Sequence, residues 1–391
     1  MYFKTEHLAV GYHGKILIDD INVGIEKGNI LCLLGPNGSG KSTILKSITK
    51  HLSTIDGSVY IDDQDIKRLN GKETAKKISV VLTDRISPDL MTCREIVATG
   101  RYPYTNHFGK LTEEDNCIID NSLKIVSAYE LKDLEFNTLS DGQKQRVMLA
   151  RAICQQPEVI VLDEPTSYLD IRYKLELLSI LRKMAVEQGI TVVLSLHEVD
   201  LAIKLADIII LVKDNKIAKC GFPEDILDDK TIRELYDIES GSFNMLLGSI
   251  ELKGTSNESK VFVLGGSGSG TLCYRALHKK GINFTTGILH ENDIDFYVAS
   301  GLDANVISVD SFSYIDINTF NEAREAIENS KSVIDSGFTI GELNKENIEL
   351  LRYASELNKP ILSLRKNPLN IDVNMRYYKD IYSLINSSEI I

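Results

Sequence analysis

The sequence has 391 residues, of which 43% are hydrophobic and 26% are charged, and its net charge is −12 at pH 7. This length allows two or three domains with separate cores, and the composition is ordinary for a globular protein. The acidic balance argues against binding to nucleic acid or anionic lipid, and no apolar stretch approaches the about 20 residues of a membrane-spanning helix.

The first part of the chain predicts antiparallel strands followed by alternating strands and helices. Residues 1–33 alternate apolar and polar positions around the turn-like segments GYHG and EKGN, a pattern typical of antiparallel strands. The apolar segment NILCLLG then runs into a glycine-rich loop and a helix, STILKSITKHL. Residues 88–135 have a mainly helical pattern, and the segments up to residue 214 alternate between helix and buried strand.

The last part of the chain predicts a separate parallel sheet. Residues 249–260, SIELKGTSNESK, are rich in Ser, Gly, Asn and charge, which indicates a linker. From residue 261 onward, strand and helix patterns alternate, which favours a parallel sheet covered on both faces. We therefore expect domains at 1–248 and 261–391, the second a smaller Rossmann-like α/β domain.

A phosphate-binding motif follows the third predicted strand. Residues 35–42, GPNGSGKS, satisfy the pattern G-x-x-x-x-G-K-[ST] between an apolar strand and a helix. Loop N–H groups of this kind line a concave nest for phosphate oxygens, and the helix N-terminus adds its positive dipole end. Lys41 can reach the β and γ phosphates, and the Ser42 hydroxyl can bind Mg²⁺.

A pair of acids ends a second apolar strand, VIVLDEP, at 159–165. Asp163 at the end of such a strand can hold Mg²⁺. Glu164 beside it can orient or deprotonate a water molecule. Together with residues 35–42, this segment predicts a nucleotide-hydrolysing site.

Further segments resemble those of ATP-binding cassette (ABC) ATPases. LSDGQKQR at 139–146 resembles the family's signature motif, usually LSGGQ followed by basic residues, and it lies between the two motifs above, as in that family. SYLD at 167–170 resembles the D-loop. His197 stands where the family has its switch histidine, and Tyr12 stands where an aromatic ring stacks on adenine. The resemblance covers residues 1 to about 240.

The resemblance implies a RecA-like core with antiparallel β and helical subdomains, and ATP and Mg²⁺ as cofactors. Lys41, Glu164 and His197 would be catalytic, and Ser42 and Asp163 would hold Mg²⁺. The residues expected to contact ATP are Tyr12, Gly35, Pro36, Asn37, Gly38, Ser39, Gly40, Lys41, Ser42, Thr43, Ser140, Gly142 and Gln143.

The resemblance also implies a head-to-tail homodimer with ATP in the interface. ATP on Lys41 and Ser42 of one subunit would be covered by Ser140 and Gly142 of the other. Glu164 would polarise the attacking water, and a histidine would contact the γ-phosphate. ATP would close this dimer and hydrolysis would release it, as in a ligand-biased switch.

Two positions depart from the family pattern. Asp141 replaces the usual glycine of the signature, although Asp tolerates unusual backbone angles better than most residues. The glutamine of the Q-loop is missing, because Thr83 and Asp84 stand at the end of the strand ISVVLTDR. Asp84 could still hold Mg²⁺ or a water molecule.

The class of ABC protein is inferred from what the chain lacks. Exporters usually carry membrane spans of their own, and soluble ABC factors usually carry two cassettes and favour positive surfaces. The sequence therefore favours the separate ATPase subunit of an importer, bound to transmembrane permease subunits at the cytoplasmic face of the cell membrane. It would contact a substrate-binding protein indirectly and bind no nucleic acid. A soluble non-transport ATPase that acts on a macromolecule, or an exporter subunit, remains the alternative.

The segment 91–115 indicates the subtype of importer. It contains GRYPY and resembles the helical subdomain of ATPases that drive uptake of iron-siderophores, haem and cobalamin. The alternative is a helix and a Tyr-Pro loop that face solvent. The segment does not distinguish among the three chelates.

A second glycine loop, FVLGGSGSGTLC at 262–273, has similarly spaced glycines but Thr271 and Leu272 in place of the lysine and serine. It predicts an anion site rather than a second ATPase. Asp293 or Asp295, after the next strand, could accept a ribose or other hydroxyl group. We expect a sensor for a nucleotide-like or imported ligand; a dimerisation or docking domain and an independent enzyme are the alternatives.

Overall fold

The structure is a computed structural model of the protein. It describes residues 1–82, 88, 90–106, 109–239, 241–244, 248–252 and 259–390. Backbone contacts divide the chain into two compact units, Met1–Tyr236 and Asp237–Ile391. Across the described ranges, no helix is both long enough and apolar enough to cross a membrane.

The first unit combines strands and helices throughout its length. Its strands are β1 (Phe3–Tyr12), β2 (Lys15–Ile25), β3 (Ile30–Leu34), β4 (Asp56–Ile61), β5 (Gln64–Asp65), β6 (Ile78–Val81), β7 (Val159–Leu162), β8 (Thr191–Ser195), β9 (Ile208–Lys213) and β10 (Lys216–Gly221). Its α-helices are α1 (Lys41–Ile48), α2 (Gly71–Lys77), α3 (Cys93–Ala98), α4 (Glu113–Ile125), α5 (Asp141–Cys154), α6 (Ile171–Gln188), α7 (Val199–Leu205), α8 (Pro223–Ile226) and α9 (Asp229–Tyr236).

Two sheets form the frame of this unit. An antiparallel sheet has the strand order β2-β1-β4-β5, as the alternating pattern of residues 1–33 predicts. A second sheet has the order β10-β9-β3-β8-β7-β6 and is parallel except for the pair β9-β10. Because β3, β8 and β7 are parallel neighbours, their carboxyl ends meet at one edge of the sheet. Apolar residues of both sheets and of α1 share one buried core.

A group of helices, α3, α4 and α5, packs together beside this sheet. The segment GRYPY connects α3 to α4, and Arg101 is buried there against Asp115 of α4, with Nε 2.8 Å from Oδ1. The Arg101 guanidinium also donates to the Cys154 carbonyl at 2.9 Å. Only part of the segment faces solvent, since Pro103 is buried whereas Tyr102 is 77% exposed. GRYPY therefore anchors the helical group as well as presenting a tyrosine.

The second unit contains a hairpin followed by alternating strands and helices. Its strands are β11 (Gly241–Asn244), β12 (Ser249–Leu252), β13 (Val261–Leu264), β14 (Phe284–His290), β15 (Asn305–Val309), β16 (Ser332–Asp335), β17 (Ile361–Ser363) and β18 (Arg376–Tyr377). Its helices are α10 (Thr271–Lys279), α11 (Ile294–Gly301), α12 (Ile317–Asn329), α13 (Glu346–Glu356) and α14 (Ile381–Ile385).

The parallel sheet predicted for this unit is confirmed. Its strand order is β15-β14-β13-β16-β17-β18, so the order reverses between β13 and β16. Successive residues of β13 point into different cores, Val261 and Val263 into one and Phe262 and Leu264 into the other. Both faces of the sheet are thus buried, which explains the continuous apolar runs in the sequence.

The hairpin β11-β12 was not expected. Residues 249–252 form its second strand, although the composition of 249–260 indicates a linker. Glu251 is buried and forms an ion pair with Arg275 of α10, and Ser242 Oγ donates to the Gly301 carbonyl at 2.9 Å. Residues 253–258 lie outside the described part of the chain. The linker and the domain limits at 248 and 261 therefore stay predictions.

Candidate functional site

The first glycine loop connects β3 to α1 and depends on glycine for its shape. Gly35, Gly38 and Gly40 have φ values of +154°, +79° and +103°, in the region that side chains disfavour. A Cβ on Gly35 would also lie 2.0 Å from the Val212 carbonyl oxygen. Since α1 begins at Lys41, the loop leads directly into the free N–H groups of a helix N-terminus. This geometry suits an anion.

Lys41 lies over this loop and is almost fully buried, with 4% of its surface exposed. Its ammonium donates to the carbonyls of Gly35 at 2.8 Å and Pro36 at 2.9 Å. Burial lowers the pKa of Lys41, and the nearby carboxylates of Glu164 and Asp163 act in the opposite direction. The three predicted site residues Lys41, Asp163 and Glu164 are therefore brought into one electrostatic environment.

The loop also holds a buried hydroxyl that lacks a partner. Ser39 is 4% exposed, and its Oγ makes no hydrogen bond within the described residues. Buried polar groups are nearly always hydrogen-bonded, so an orphaned hydroxyl points to a missing partner. A phosphate oxygen in the loop would supply one. Asn37 at the tip of the loop is exposed, and Ser42 is half-buried at the start of the helix.

The carboxyl end of β7 holds the two predicted acids in place. Asp163 is 1% exposed, and its Oδ1 accepts a hydrogen bond of 2.7 Å from Ser195 Oγ at the end of β8. The same Ser195 oxygen accepts the Glu164 N–H at 2.9 Å. Ser195 thus links the acids to the neighbouring strand. Ser195 was not among the residues predicted for the site, although a serine that ends the apolar run TVVL was a usable signal.

Glu164 and His197 come into direct contact. His197 Nε2 lies 2.5 Å from Glu164 Oε1, and Ser167 Oγ lies 3.4 Å from Glu164 Oε2. The Glu164 backbone has φ +49°, an uncommon conformation for a residue with a side chain. Both side chains are about two-thirds to three-quarters buried. Two residues that the sequence assigns separate roles, Glu164 and His197, therefore lie side by side in one chain.

The signature segment forms the start of helix α5. Ser140 caps the helix, with its Oγ accepting the Gln143 N–H at 3.4 Å and Gln143 Oε1 accepting the Ser140 N–H at 3.0 Å. Asp141 lies in the first helical turn, where its negative charge interacts favourably with the positive end of the helix dipole. A Cβ on Gly142 would lie 3.3 Å from Leu169 Cδ2, so a small residue suits that position. The departure from glycine at Asp141 requires no unusual backbone angle.

Tyr12 lies at the end of β1, close to the same helix as the glycine loop. Its hydroxyl is 3.2 Å from Thr43 Oγ1, and the residue is 47% exposed. An exposed ring tied to α1 is available for stacking. The other positions of interest, Thr83 and Asp84, lie outside the described residues, so the replacement of the Q-loop glutamine stays a prediction.

The second glycine loop, between β13 and α10, is satisfied by carboxylates of its own chain. Asp295 Oδ2 accepts the N–H groups of Gly266 and Gly270, each at 2.8 Å. Asp293 Oδ2 accepts the N–H of Ser267 at 2.7 Å. The residue Asp295 is fully buried. Two side chains therefore occupy the N–H groups that a bound phosphate would use.

This arrangement differs from the sequence-based expectation for the loop. Asp293 and Asp295 were expected to accept a ligand hydroxyl, and the loop N–H groups were expected to accept an anion. The structure instead pairs these groups with each other, and Thr271 Oγ1 also donates to Asp295 Oδ1 at 2.8 Å. A phosphate would meet negative charge and occupied donors here. The second loop is not a phosphate site in this structure.

Family models match two parts of the chain. Residues 18–167 match the model described as ABC transporter, and residues 284–388 match the MJ0874 family. The first match includes the glycine loop, the signature segment and the two acids. The second lies within the second unit.

Curated relatives match between 61% and 83% of the chain. The uncharacterized ABC transporter ATP-binding protein MJ0873 of Methanocaldococcus jannaschii is 42% identical over 287 residues, which cover 73% of this chain and 99% of that protein. The iron(3+)-hydroxamate import ATP-binding protein FhuC of Bacillus subtilis is 34% identical over 61% of this chain and 88% of its own length. The cobalamin import ATP-binding protein BtuD of Halobacterium salinarum is 29% identical over 333 residues, 83% of each chain.

A solved structure has the same fold over the first part of the chain. It is described as an inward-facing conformation of a putative metal-chelate type ABC transporter, and one of its chains is 28% identical with a TM-score of 0.54. The alignment covers 64% of this chain and 94% of that chain. The predicted P-loop ATPase fold is thereby confirmed. With its glycine loop, paired acids and signature helix in this fold, the chain belongs to the family of ABC transporter ATP-binding proteins.

Proposed function

We propose that the chain is the ATP-hydrolysing subunit of an importer that takes up a metal chelate through a separate permease. The observation that carries this proposal is the similarity to import ATPases: the Bacillus subtilis relative is named for iron(3+)-hydroxamate import and the Halobacterium salinarum relative for cobalamin import. The solved metal-chelate type transporter supports the same class.

Among the chelates, we propose a corrinoid such as cobalamin. The alignment with the halobacterial cobalamin import protein spans 333 residues, whereas the first unit ends at Tyr236. That alignment therefore extends into the second unit. If this chain and the halobacterial protein share the second unit as well as the ATPase unit, they are more similar than two ATPases with different cargoes need to be. This favours the same cargo for both.

The geometry supports a division of labour in the site. Lys41 and the loop N–H groups would bind the phosphates of ATP, and Tyr12 would contact the adenine. Glu164, held against His197, would take up the proton of the attacking water. Ser42 and Asp163 carry oxygen ligands of the kind that Mg²⁺ prefers. When bound, Mg²⁺ would neutralise charge on the phosphates.

The partners follow from the same proposal. Permease subunits would hold the ATPase at the cytoplasmic face of the membrane, and a substrate-binding protein would act through them. Two copies of the chain would pair so that Ser140 and Gly142 of one complete the ATP site of the other. In one chain Ser140 and Gln143 bond to each other rather than to the glycine loop.

Uptake in the source organism tests the proposed function. We expect deletion of the gene to reduce uptake of radiolabelled cobalamin to passive entry, and wild-type protein, but not Lys41→Ala, to restore it. If only ferric siderophore uptake is lost, the chain still belongs to an importer, but its cargo is a siderophore rather than cobalamin. Normal uptake of both chelates would contradict the importer, and efflux assays would then test the exporter alternative.

Ser195 provides a test of how the acids are positioned. Ser195→Ala removes the hydrogen bonds that Ser195 Oγ makes with Asp163 Oδ1 and with the Glu164 N–H, at a cost of about 1–3 kcal/mol. We expect the ATPase rate to fall about 5- to 150-fold if this cost appears in the transition state. Ser79→Ala is the control, because Ser79 Oγ in β6 is buried with no partner in the described structure. Equal rates in the two variants would contradict the positioning role.

A further inference from the structure

The second unit has a cleft at the carboxyl ends of its parallel strands. Its volume is about 360 Å³. The cleft lies where the strand order reverses, the usual place for a ligand in an open α/β sheet. The lining residues are Ser267, His290, Asn292, Asp293, Ile294, Phe312 and Leu343.

The cleft is not built for an anion. The second glycine loop borders it at Ser267, and the loop N–H groups of Gly266, Ser267 and Gly270 already donate to Asp293 and Asp295. None of the seven lining residues is Lys or Arg. A phosphate or carboxylate ligand would therefore meet a carboxylate without a compensating positive side chain.

Asp293 and His290 supply hydrogen-bond acceptors to the cleft, beside the Ser267 hydroxyl and the Asn292 amide, which can both donate and accept. His290 Nε2 lies 2.9 Å from the Ser313 carbonyl, which can only accept, so Nε2 donates, and in the neutral ring Nδ1 is an acceptor. Each Asp293 oxygen accepts one N–H, Oδ1 from Asp295 and Oδ2 from Ser267. A carboxylate has about four lone-pair sites, so Asp293 can accept further donors.

Apolar side chains also line the cleft. Phe312 is 76% exposed and Ile294 is 51% exposed, and Leu343 lines the same cleft. Phe312 has φ +62°, a conformation that bulky residues rarely adopt. An aromatic face near a carboxylate suits a ligand with an apolar body and a positive end, since a cation is attracted both by the charge and by the ring.

We propose that this cleft binds a small organic cation. The ammonium or amidinium group of the ligand pairs with Asp293 and donates to His290 Nδ1, and its apolar part lies on Phe312, Ile294 and Leu343. The site is distinct from the ATP-binding loop and differs in sign from the phosphate site that the glycine spacing suggests. This proposal stands independently of the cargo of the importer.

Three probes of matched shape and different charge test the proposal on the full-length chain. They are 2-phenylethylamine, 2-phenylethanol and 3-phenylpropionate. Their binding is measured by saturation-transfer NMR of the ligand signals. We expect the amine to bind with a dissociation constant of about 1 mM or tighter, as a fragment of this size can reach. We expect the acid to bind at least about tenfold more weakly, a difference of about 1.4 kcal/mol.

Variants assign the binding to the cleft. Asp293→Asn removes the charge but keeps an acceptor for the first turn of α11, and we expect the amine to bind about tenfold more weakly. Phe312→Ala removes the exposed ring and leaves the glycine loop unchanged, and we expect it to weaken amine binding as well. This variant provides the test if Asp293→Asn proves unstable. Glu291→Gln is the control, because it removes an exposed neighbouring charge that does not line the cleft. Thermal melting checks that each variant is folded.

Four outcomes overturn the proposal. They are no amine binding up to about 10 mM, equal binding of the amine and the acid, amine binding unchanged in Phe312→Ala and in folded Asp293→Asn, and equal weakening in Glu291→Gln and Asp293→Asn. The expected pattern is amine binding that depends on Asp293 and Phe312 but not on Glu291.

Discussion

Replacing Glu164 with Gln lowers the steady-state ATPase rate by about 10²- to 10⁴-fold while ATP still binds, the scale expected for the loss of a general base. Gln has nearly the same shape and can keep a hydrogen bond to His197, which lies 2.5 Å from Glu164 Oε1. An amide cannot take up a proton from water, so the chemical step is lost and binding is retained. Phosphate release and nucleotide binding, measured separately, check both parts.

A matched glutamate separates this effect from a general loss of charge. Glu176 on α6 forms a surface pair with Arg172, 3.1 Å from Nε to Oε1. Pairs of this kind contribute little, so Glu176→Gln should hydrolyse ATP at close to the wild-type rate. Wild-type turnover in Glu164→Gln, or an equal loss in Glu176→Gln, would contradict the assignment of Glu164 as the base.

Replacing Asp115 with Ala destabilises the first unit by about 3–5 kcal/mol, because it leaves the buried Arg101 guanidinium without its carboxylate. The side chains of both residues are less than a tenth exposed. Asp115 Oδ2 also accepts the Thr112 N–H at 2.9 Å and so closes the cap of α4. The expected fall in melting temperature is roughly 6–20 °C by calorimetry.

A second aspartate on the same helix gives the control. Asp120 pairs with Arg94 at 3.1 Å, but about one-third of each side chain is exposed. Asp120→Ala should therefore cost at most about 1 kcal/mol. Similar melting temperatures for Asp115→Ala and Asp120→Ala would contradict the role given to the buried pair.

The contribution of Asp115 depends on pH in a defined direction. Hydrogen bonds from the Thr112 backbone, together with the Arg101 guanidinium, hold the pKa of Asp115 below its usual value. A carboxyl group whose pKa is lower in the folded state stabilises the fold above its unfolded pKa of about 3.9 and loses that effect as the pH falls through the folded value. The difference between wild type and Asp115→Ala should shrink in the same acidic range.

Much of the first unit could be predicted from local patterns. The glycine loop and the two acids follow apolar strands, and parallel neighbouring strands bring their carboxyl ends together. The contact between Glu164 and His197 therefore agrees with their positions after β7 and near the end of β8. The bridging role of Ser195 depends on how two strands align, which one strand's sequence does not reveal.

The second glycine loop shows where such patterns stop being sufficient. Its glycine spacing resembles that of the first loop, and Gly268 has a φ of +78° against +79° for Gly38. The chemistry differs because Asp295, 25 residues beyond Gly270, places a carboxylate on the loop N–H groups. A spacing pattern describes the backbone of a nest but not the group that fills it.

The hairpin β11-β12 limits where the gene can be divided. A reading frame that started at the glycine-rich strand β13 would omit Glu251 and Ser242, which bond to Arg275 and to the Gly301 carbonyl. The truncated product would leave Arg275 without Glu251 and would expose the part of α11 that the hairpin contacts. A gene fusion or recombination that transfers the second unit intact therefore has to begin near codon 237, before the hairpin. This point lies upstream of residues 249–260, the segment whose composition indicates a linker.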